Sequence, residues 1–214
     1  YGVYISNSHH NEIYNTTTNS AMETGIYLNP SSFNVISNIT SNSNTNKLIY
    51  LGSSSNNNLT DITLDSSGYG GIELSSSSRN QFTDLRLSAC STFGNYPCIS
   101  LTDSDSNTFE SGTINRSTDR FVWIYGTSSA NNFSSLTLVN ATKHVVYSEN
   151  TAGNNRFFNL TVIDTTLAAF NLTGTGGNDQ IINNTFTNVP LDYHVYDGAV
   201  SEYSLADNSL EIYD

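Results

Sequence analysis

Gly25-Ile26-Tyr27-Leu28 is a phrase that returns along the chain with small changes, as Gly2-Val3-Tyr4-Ile5, Leu48-Ile49-Tyr50-Leu51 and Gly71-Ile72-Glu73-Leu74. We call the second position of this phrase, held here by Ile26, the slot. An apolar residue occupies the slot every 23 to 27 residues, at Val3, Ile26, Ile49, Ile72, Ile99, Val122, Val146 and Phe170. A period of this length is typical of a solenoid, in which each repeat forms one coil stacked on the last.

Two further apolar columns follow the first in every coil. The second comes about ten residues later, at Ile13, Ile36, Leu59, Phe82, Phe109, Phe133, Phe157 and Ile181. The third comes five residues after that, for example at Leu64, Leu87 and Ile114. Three short apolar and polar alternations per coil, separated by Asn, Ser and Gly, predict strands. Stacked at about 4.8 Å, the coils would form parallel sheets around a narrow core.

Asparagine stands two residues before the second column in seven coils, and Asp179 takes that place in the last coil. The seven are Asn11, Asn34, Asn57, Asn80, Asn107, Asn131 and Asn155. Asparagine tolerates the left-handed backbone of tight corners, and stacked amides can hydrogen-bond along a column. We therefore predict a structural asparagine ladder.

The repeated phrases resemble the parallel β-helix repeats of the NosD-like or CASH group (carbohydrate-binding proteins and sugar hydrolases). The coils of that group read approximately Gly-Ile-Tyr-Leu, a Ser/Asn corner and Asn-x-Ile. The resemblance covers about residues 2 to 187. It implies an all-β, right-handed parallel β-helix of about eight coils, each with 23 to 24 residues and three short strands. We expect one β-helix domain over residues 1–187, followed over residues 188–214 by an acidic cap or the start of a linker.

Composition excludes some partners. The net charge is −12, and the seven basic residues are scattered along the chain. Nucleic acids and anionic lipids need a basic stripe, and a membrane span needs about 18 or more apolar residues in a row. We expect neither nucleic-acid binding nor direct membrane insertion. A surface rich in Asn, Ser, Thr and Tyr is typical of an extracellular or cell-surface protein.

Cys90 and Cys98 bracket the longest coil. In an extracellular protein they would form a local disulfide that closes the loop from Ser91 to Pro97. Otherwise they are two free thiols, with Cys98 filling the place that Gly25 and Gly71 take in other coils.

Nine Asn-x-Ser/Thr sequons are candidate N-glycosylation sites. They begin at Asn15, Asn38, Asn58, Asn115, Asn132, Asn140, Asn159, Asn171 and Asn183. Their number is about what this composition gives by chance, so only their position in the structure can discriminate among them.

The middle residue of each phrase should face solvent if its neighbours face the core. These residues are Tyr4, Tyr27, Tyr50, Glu73, Ser100, Trp123, Tyr147 and Asn171. The aromatic ones, Tyr4, Tyr27, Tyr50, Trp123 and Tyr147, are candidate stacking platforms for the rings of a glycan. In the other interpretation they pack on one another as neighbours on one sheet face.

Catalysis of glycosidic bond cleavage would need paired carboxylates. Glu73, Asp103 and Asp105 are the candidates, because related pectinolytic and glycosidic β-helices hold their substrate on the same face. The chain lacks the other parts of such sites, namely clustered Arg or Lys, or an Asn-Thr-Asp or Asp-Asp pair. Asp103-Ser-Asp105-Ser-Asn107 also mimics half of a calcium loop, but a solvated corner explains it better.

No metal or cofactor is expected. The four histidines, His9, His10, His144 and His194, and the single Met22 do not form the cluster that a soft metal ion needs.

The sequence therefore predicts a non-enzymatic structural or adhesive module of a cell envelope, sheath or filament, binding glycans or carrying them. The alternative is a polysaccharide-active glycoside hydrolase or lyase that uses Glu73, Asp103 and Asp105. Because the chain begins at Tyr1 inside the repeat phrase, we expect a piece of a longer precursor. Its open first coil would stack on an identical subunit or be capped by a neighbouring domain.

Overall fold

The chain folds into two parallel β-sheets wrapped around one narrow core. The computed structural model describes residues 1–92, 94, 96–149, 151–173, 177–190, 193–195 and 209–211. All regular structure in these residues is β-strand. The same residues contain no helix of the length and apolar character that crossing a membrane requires.

Within the described residues, the first sheet has nine short strands that lie side by side in chain order. They are β1 (Val3–Ile5), β3 (Ile26–Leu28), β5 (Ile49–Gly52), β7 (Ile72–Ser75), β9 (Ile99–Thr102), β11 (Val122–Tyr125), β13 (Val146–Ser148), β16 (Phe170–Leu172) and β19 (Tyr193–Val195). The register places Ile26 beside Val3 on one side and Ile49 on the other. The slot residues of successive coils are therefore aligned, as the period predicts.

The second sheet, in the part of the chain that the structure describes, has eleven strands, most of them longer than those of the first sheet. They are β2 (Glu12–Asn19), β4 (Val35–Asn44), β6 (Asn58–Ser67), β8 (Gln81–Ser88), β10 (Thr108–Ser117), β12 (Asn132–Ala141), β14 (Arg156–Phe158), β15 (Thr161–Thr165), β17 (Gln180–Ile182), β18 (Thr185–Thr187) and β20 (Ser209–Glu211). β19 and β20 lie in residues 188–214, so that segment adds one parallel strand to each sheet.

The second and third strands expected in each coil run together in most coils. One residue of left-handed conformation bends the joined strand, for example Asn38 in β4 (φ 52°) and Asp61 in β6 (φ 53°). In the later coils Asn159 and Asn183 make the same bend, and there the two strands are separate. Asn and Asp suit these positions because they adopt the left-handed conformation more readily than other non-glycine residues.

The core is built from aligned apolar side chains of both sheets. Phe82, Phe109, Phe133 and Phe157 stack with nearly parallel rings, 4.7, 4.9 and 5.4 Å apart in succession, and all are almost completely buried. The ring spacing matches the spacing between strands, because each coil contributes one ring to the stack.

The asparagine column forms a continuous hydrogen-bonded ladder along one corner. Asn57 Oδ1 accepts hydrogen bonds from the backbone N and Nδ2 of Asn34, both at 2.9 Å. Asn57 Nδ2 donates to Asn80 Oδ1 at 2.9 Å and to the Ser31 carbonyl at 3.2 Å. The same pattern of bonds to the next coil runs from Asn11 to Asp179. The amides satisfy buried backbone groups at a corner where the sheet ladder ends.

Candidate functional site

The outer face of the first sheet carries one side chain from the middle of each strand. In β3, Ile26 and Leu28 are fully buried and Tyr27 between them is partly exposed. Tyr27 stacks on Tyr4 (5.2 Å, 5° between planes) and on Tyr50 (5.1 Å, 20°). These three rings cover one another's faces, so they offer a ligand mainly their edges.

A cation fills the space between the next two aromatic candidates. The Arg120 guanidinium lies 4.8 Å from the centroid of Trp123 and 4.6 Å from that of Tyr147, so it is sandwiched between the two rings. Trp123 Nε1 also donates a hydrogen bond to Glu149 Oε1 at 2.9 Å. One face of Trp123 is thus occupied by Arg120, and on the opposite side of β11 from β13 the neighbour of Trp123 is Ser100 of β9.

The aromatic column is interrupted between Tyr50 and Trp123. The two intervening strands, β7 and β9, place Glu73 and Ser100 there. A serine side chain is too short to reach the ring of Trp123 in the next coil. The break therefore leaves a depression over Ser100.

The position two residues before the slot also lacks a long side chain in these two coils. Two residues before the slot, Lys47 and Arg120 occupy the turn in the flanking coils, whereas Gly70 and Pro97 occupy it in the two coils between them. Residues of this turn, including Gly70 and Pro97, line the depression together with Ser100. We call it the notch.

The notch has a volume of about 100 Å³ and aromatic walls. Trp123 and Tyr125, whose centroids are 4.9 Å apart, form one wall, and Ser100 forms part of the base. Tyr69 and Tyr96 line the side, with their rings edge to face at 5.2 Å and 83°. This volume admits part of a ligand, since sites that enclose a drug-sized molecule reach about 300 to 1,000 Å³.

An ion pair forms the wall opposite Trp123. Lys47 Nζ lies 3.1 Å from Glu73 Oε2, and both side chains are partly exposed. The same ammonium lies 5.4 Å from the centroid of Tyr50. Burial, and secondly the negative charge of Glu73, raise the pKa of Tyr50 above its usual range, so this phenol stays protonated at neutral pH.

A shallow groove continues from the notch along the helix axis. It has a volume of about 390 Å³, and Lys47, Tyr69 and Tyr96 line both cavities. Its far end includes Met22, which is 86 % exposed, and Glu23. The notch and this groove together form one strip that crosses several coils.

Cys90 and Cys98 are joined by a disulfide, with their Cα atoms 5.0 Å apart. Both cysteines are fully buried. The bridge anchors the loop that carries Tyr96 and Pro97 at the edge of the notch, so the predicted disulfide contributes to the shape of the candidate site.

The predicted catalytic carboxylates have different partners in the structure. Glu73 pairs with Lys47, whereas Asp103 follows the end of β9, three residues after Ser100, the strand neighbour of Glu73. Asp103 Oδ1 accepts a hydrogen bond from the backbone N of Thr127 at 3.0 Å, and Asp105 Oδ1 accepts one from the backbone N of Ser129 at 2.7 Å. Both aspartates tie their turn to that of the next coil.

A larger groove, of about 490 Å³, lies on the second sheet. It passes over Gly112, where the backbone (φ 135°) disfavours any side chain, and beside Arg86, whose Nη1 is 2.7 Å from Asp61 Oδ1. Its walls include Thr113 and Asp84, and none of the described residues that line it is aromatic. We favour the smaller notch, because aromatic walls with a few polar groups are typical of ligand sites.

The sequons differ in accessibility. Exposed asparagines are Asn15, Asn38, Asn58, Asn140, Asn159 and Asn183, and Asn115 and Asn132 are half-buried. Asn171 is only 8 % exposed, and its Nδ2 lies 3.0 Å from His144 Nε2. Burial therefore argues against a glycan on Asn171, and the other eight stay candidates.

The histidines make local contacts. His9 Nδ1 accepts a hydrogen bond from the backbone N of Ser32 at 3.0 Å, and His10 stacks on Phe33 at 5.2 Å. The side chain of His194 lies outside the described part of the chain. In that part, no group of three or more His, Cys, Asp or Glu side chains is placed to hold a metal ion.

Sequence reasoning identified Glu73 and Trp123 but missed Lys47, Tyr69 and Tyr96. The missed residues lie in turns before the slot, where the period is less regular. A usable signal was present, because Gly70 and Pro97 stand where the flanking coils have a long basic side chain.

Comparison with known proteins identifies the family to which this architecture belongs. The family described as "Right handed beta helix region" matches residues 1–138 and 49–186. No curated protein matches the chain. Among solved structures, the chain is similar to the catalytic domain of a GH87 alpha-1,3-glucanase in complex with tetrasaccharides, with a TM-score of 0.71 and 15 % identity. That likeness covers 96 % of this chain and 48 % of the glucanase chain.

A second similar structure is the A-module of the mannuronan C-5 epimerase AlgE6 of Azotobacter vinelandii, with a TM-score of 0.74 and 9 % identity. It is covered to 65 %, against 96 % of this chain, so the chain spans only part of each of these proteins. At such identities the likeness shows the fold alone. The family match extends over residues 1–186, and the chain therefore belongs to the right-handed β-helix family.

Proposed function

We propose that this β-helix is a polysaccharide-binding module that holds its ligand across the notch and along the adjoining groove over the turns that precede the first sheet. The observation that carries the proposal is that Trp123 lines the notch together with Ser100, while the Arg120 guanidinium occupies one face of the indole. We assign the other face to the ligand. A sugar ring stacked on that face would bury apolar C–H surface against the indole.

The shape of the strip favours a polymer over a monosaccharide. The notch alone is small, but the groove beyond Tyr69 and Tyr96 extends the surface across neighbouring coils. The solved structures similar to this chain include proteins described as acting on a glucan and on mannuronan, which supports a polysaccharide as the class of ligand. Membership of the narrower NosD-like or CASH group is part of this proposal.

Binding without bond cleavage fits the arrangement of the carboxylates better than hydrolysis or lyase chemistry does. Glu73 is paired with Lys47, and Asp103 and Asp105 accept hydrogen bonds from turns of the next coil. A general acid and its partner would have to face the same sugar, about 5 to 9.5 Å apart. The enzymatic alternative would gain support if incubation with a bound polymer released shorter products.

The proposal includes an extracellular setting, such as a cell envelope, sheath or filament. The Cys90–Cys98 disulfide supports it, because disulfides persist in oxidising compartments. Exposed sequons are compatible with glycosylation there.

The test is a screen of polysaccharides by affinity electrophoresis, with Trp123→Ala as the probe variant. We expect at least about tenfold weaker binding from the loss of the stacking ring. Tyr14→Ala is the matched control, since Tyr14 is an exposed aromatic residue of the second sheet and lies outside the notch. Equal retention of native protein and Trp123→Ala on every bound polymer would refute the proposal.

A further inference from the structure

The charges that border the notch are paired within the protein. On one side Lys47 Nζ lies 3.1 Å from Glu73 Oε2. On the other side Asp119, a fully buried carboxylate, lies 3.3 Å from the Arg120 guanidinium and 2.7 Å from Lys143 Nζ. Each cation next to the notch therefore already has an anionic partner.

This pairing bears on the kind of polymer that fits. A polyuronate would need a cation to receive its carboxylates, and it would approach a chain of net charge −12. Binding it through Lys47 would displace Glu73 and leave that carboxylate beside the incoming charge. Binding a cationic amino-polysaccharide through Glu73 would in the same way displace Lys47 and leave its ammonium beside the incoming charge. Like charges placed together oppose binding, whereas an uncharged ligand leaves the pair intact.

The Lys47–Glu73 pair can still form hydrogen bonds with an uncharged sugar. An ammonium has three N–H donors, and a carboxylate has about four acceptor sites, so a single contact leaves most of this capacity unused. A hydroxyl group both donates and accepts. Two neighbouring hydroxyls of a sugar ring can therefore accept from Lys47 and donate to Glu73 while the ring lies against Trp123.

We propose that the notch selects an uncharged polysaccharide, whose hydroxyl groups are read by the Lys47–Glu73 pair, and discriminates against polyuronates and cationic amino-polysaccharides. This inference rests on the proposed function, because it concerns the ligand of the same site.

The test compares three polymers of similar length, namely a neutral glucan, a polyuronate and a polyglucosamine, at low and at about 0.5 M salt. We expect the native protein to bind the glucan, with less than about a twofold change in Kd between the two salt concentrations, because no ion pair forms with the ligand. Glu73→Gln leaves Lys47 without its partner. This variant should bind the glucan several-fold more weakly and acquire salt-sensitive binding of the polyuronate.

Asp61→Asn is the matched control, because it removes the partner of Arg86 in an exposed ion pair on the second sheet. It should leave all three affinities unchanged. The variant Trp123→Ala distinguishes a failure of this inference from a failure of the proposed function. Salt-sensitive binding of the native protein to the polyuronate or the polyglucosamine, lost in Trp123→Ala, would overturn the inference and keep the proposed function. Glucan binding that Trp123→Ala does not weaken would overturn both.

Discussion

Two columns of side chains follow the same period, the asparagine ladder inside the corner and the column on the outer face of the first sheet. They differ in how strictly one residue type is repeated. The inner column has asparagine in seven successive coils, and each amide bonds to the next. The outer column alternates among Tyr, Glu, Ser, Trp and Asn. An inner position must satisfy buried backbone groups with one fixed geometry, so a substitution there is costly. An outer position carries no such requirement.

This difference locates function in a repeat protein. Where the outer column is regular, as at Tyr4, Tyr27 and Tyr50, the rings cover one another and form a smooth wall. Where it breaks, at Ser100, a cavity opens. A break in the outer column therefore changes the surface while the inner column keeps the fold. The comparison predicts that inner substitutions alter stability and outer ones alter binding.

The largest effect is expected from Asn107→Ala, which removes one member of the ladder. Asn107 Oδ1 accepts from the backbone N and Nδ2 of Asn80, and its own Nδ2 donates to the Ser77 carbonyl. Deleting the amide strands these buried groups, and the free energy of unfolding should fall by about 3 to 5 kcal/mol. Urea denaturation would measure it. Asn58→Ala, at an exposed position of β6, should change it by less than about 0.5 kcal/mol.

A smaller loss is expected from Cys90→Ala combined with Cys98→Ala. Closing a loop with a sequence separation of eight residues stabilises the folded state by about 2 to 3 kcal/mol in the chain-entropy account. The bridge connects the core to the loop of Tyr96, so this double variant should lose stability and also polysaccharide affinity. Reduction of the native protein should reproduce both losses. Undiminished binding after reduction would show that the notch keeps its shape without the bridge.

The fold was readable from the sequence because its determinants repeat. Eight aligned slots and the asparagine column predicted coils, register and the inward direction of Ile26 and Leu28, and the structure has all three. The candidate site was only partly readable. Glu73 and Trp123 lie in the periodic phrase, but Tyr96 reaches the notch through a loop whose path the sequence does not define.

At the corners, in contrast, the sequence suggests functional residues that the structure explains as structural ones. Asp103 and Asp105 look like catalytic or calcium-binding carboxylates when only the sequence is read. The structure gives each of them a backbone N–H of the next coil as its partner. Which carboxylate caps a turn depends on contacts between coils, and a motif within one coil does not contain that information.

Asp179→Asn would place asparagine at every position of the inner column, and it tests whether that column controls stability. Asp179 accepts from the backbone N of Asn155 at 2.7 Å, but burial raises its pKa from 3.8 to about 6. Because the folded-state pKa is the higher one, native stability should fall as pH rises from about 4 to 6 and then level off. The asparagine side chain of the variant would carry no charge, and the free energy of unfolding at pH 8 should rise by about 2 kcal/mol.

The gain from Asp179→Asn should vanish below about pH 3, where the carboxyl is protonated in both the folded and the unfolded state. Chemical denaturation at a series of pH values would measure it. Asp65→Asn, at an exposed position of β6, should show no such pH-dependent gain. A gain that persisted at low pH would assign the effect to something other than the charge on Asp179.

The smallest effect on stability, and the sharpest on function, is expected from Ser100→Tyr. The substitution makes the break in the outer column narrower, since the new ring would extend from β9 into the notch beside Trp123, as Tyr27 does beside Tyr50. Ser100 is only 8 % exposed, but its side chain faces the notch and not the core, so the free energy of unfolding should change by about 1 kcal/mol. Polysaccharide binding should be lost, since the ring covers the face of Trp123 that the ligand needs. Thr113→Tyr, on the outer face of the second sheet, is the control for an added surface ring and should bind as the native protein does. A folded Ser100→Tyr protein with native affinity would separate binding from the break in the column, and the ligand site would then have to be sought along the regular faces of the helix.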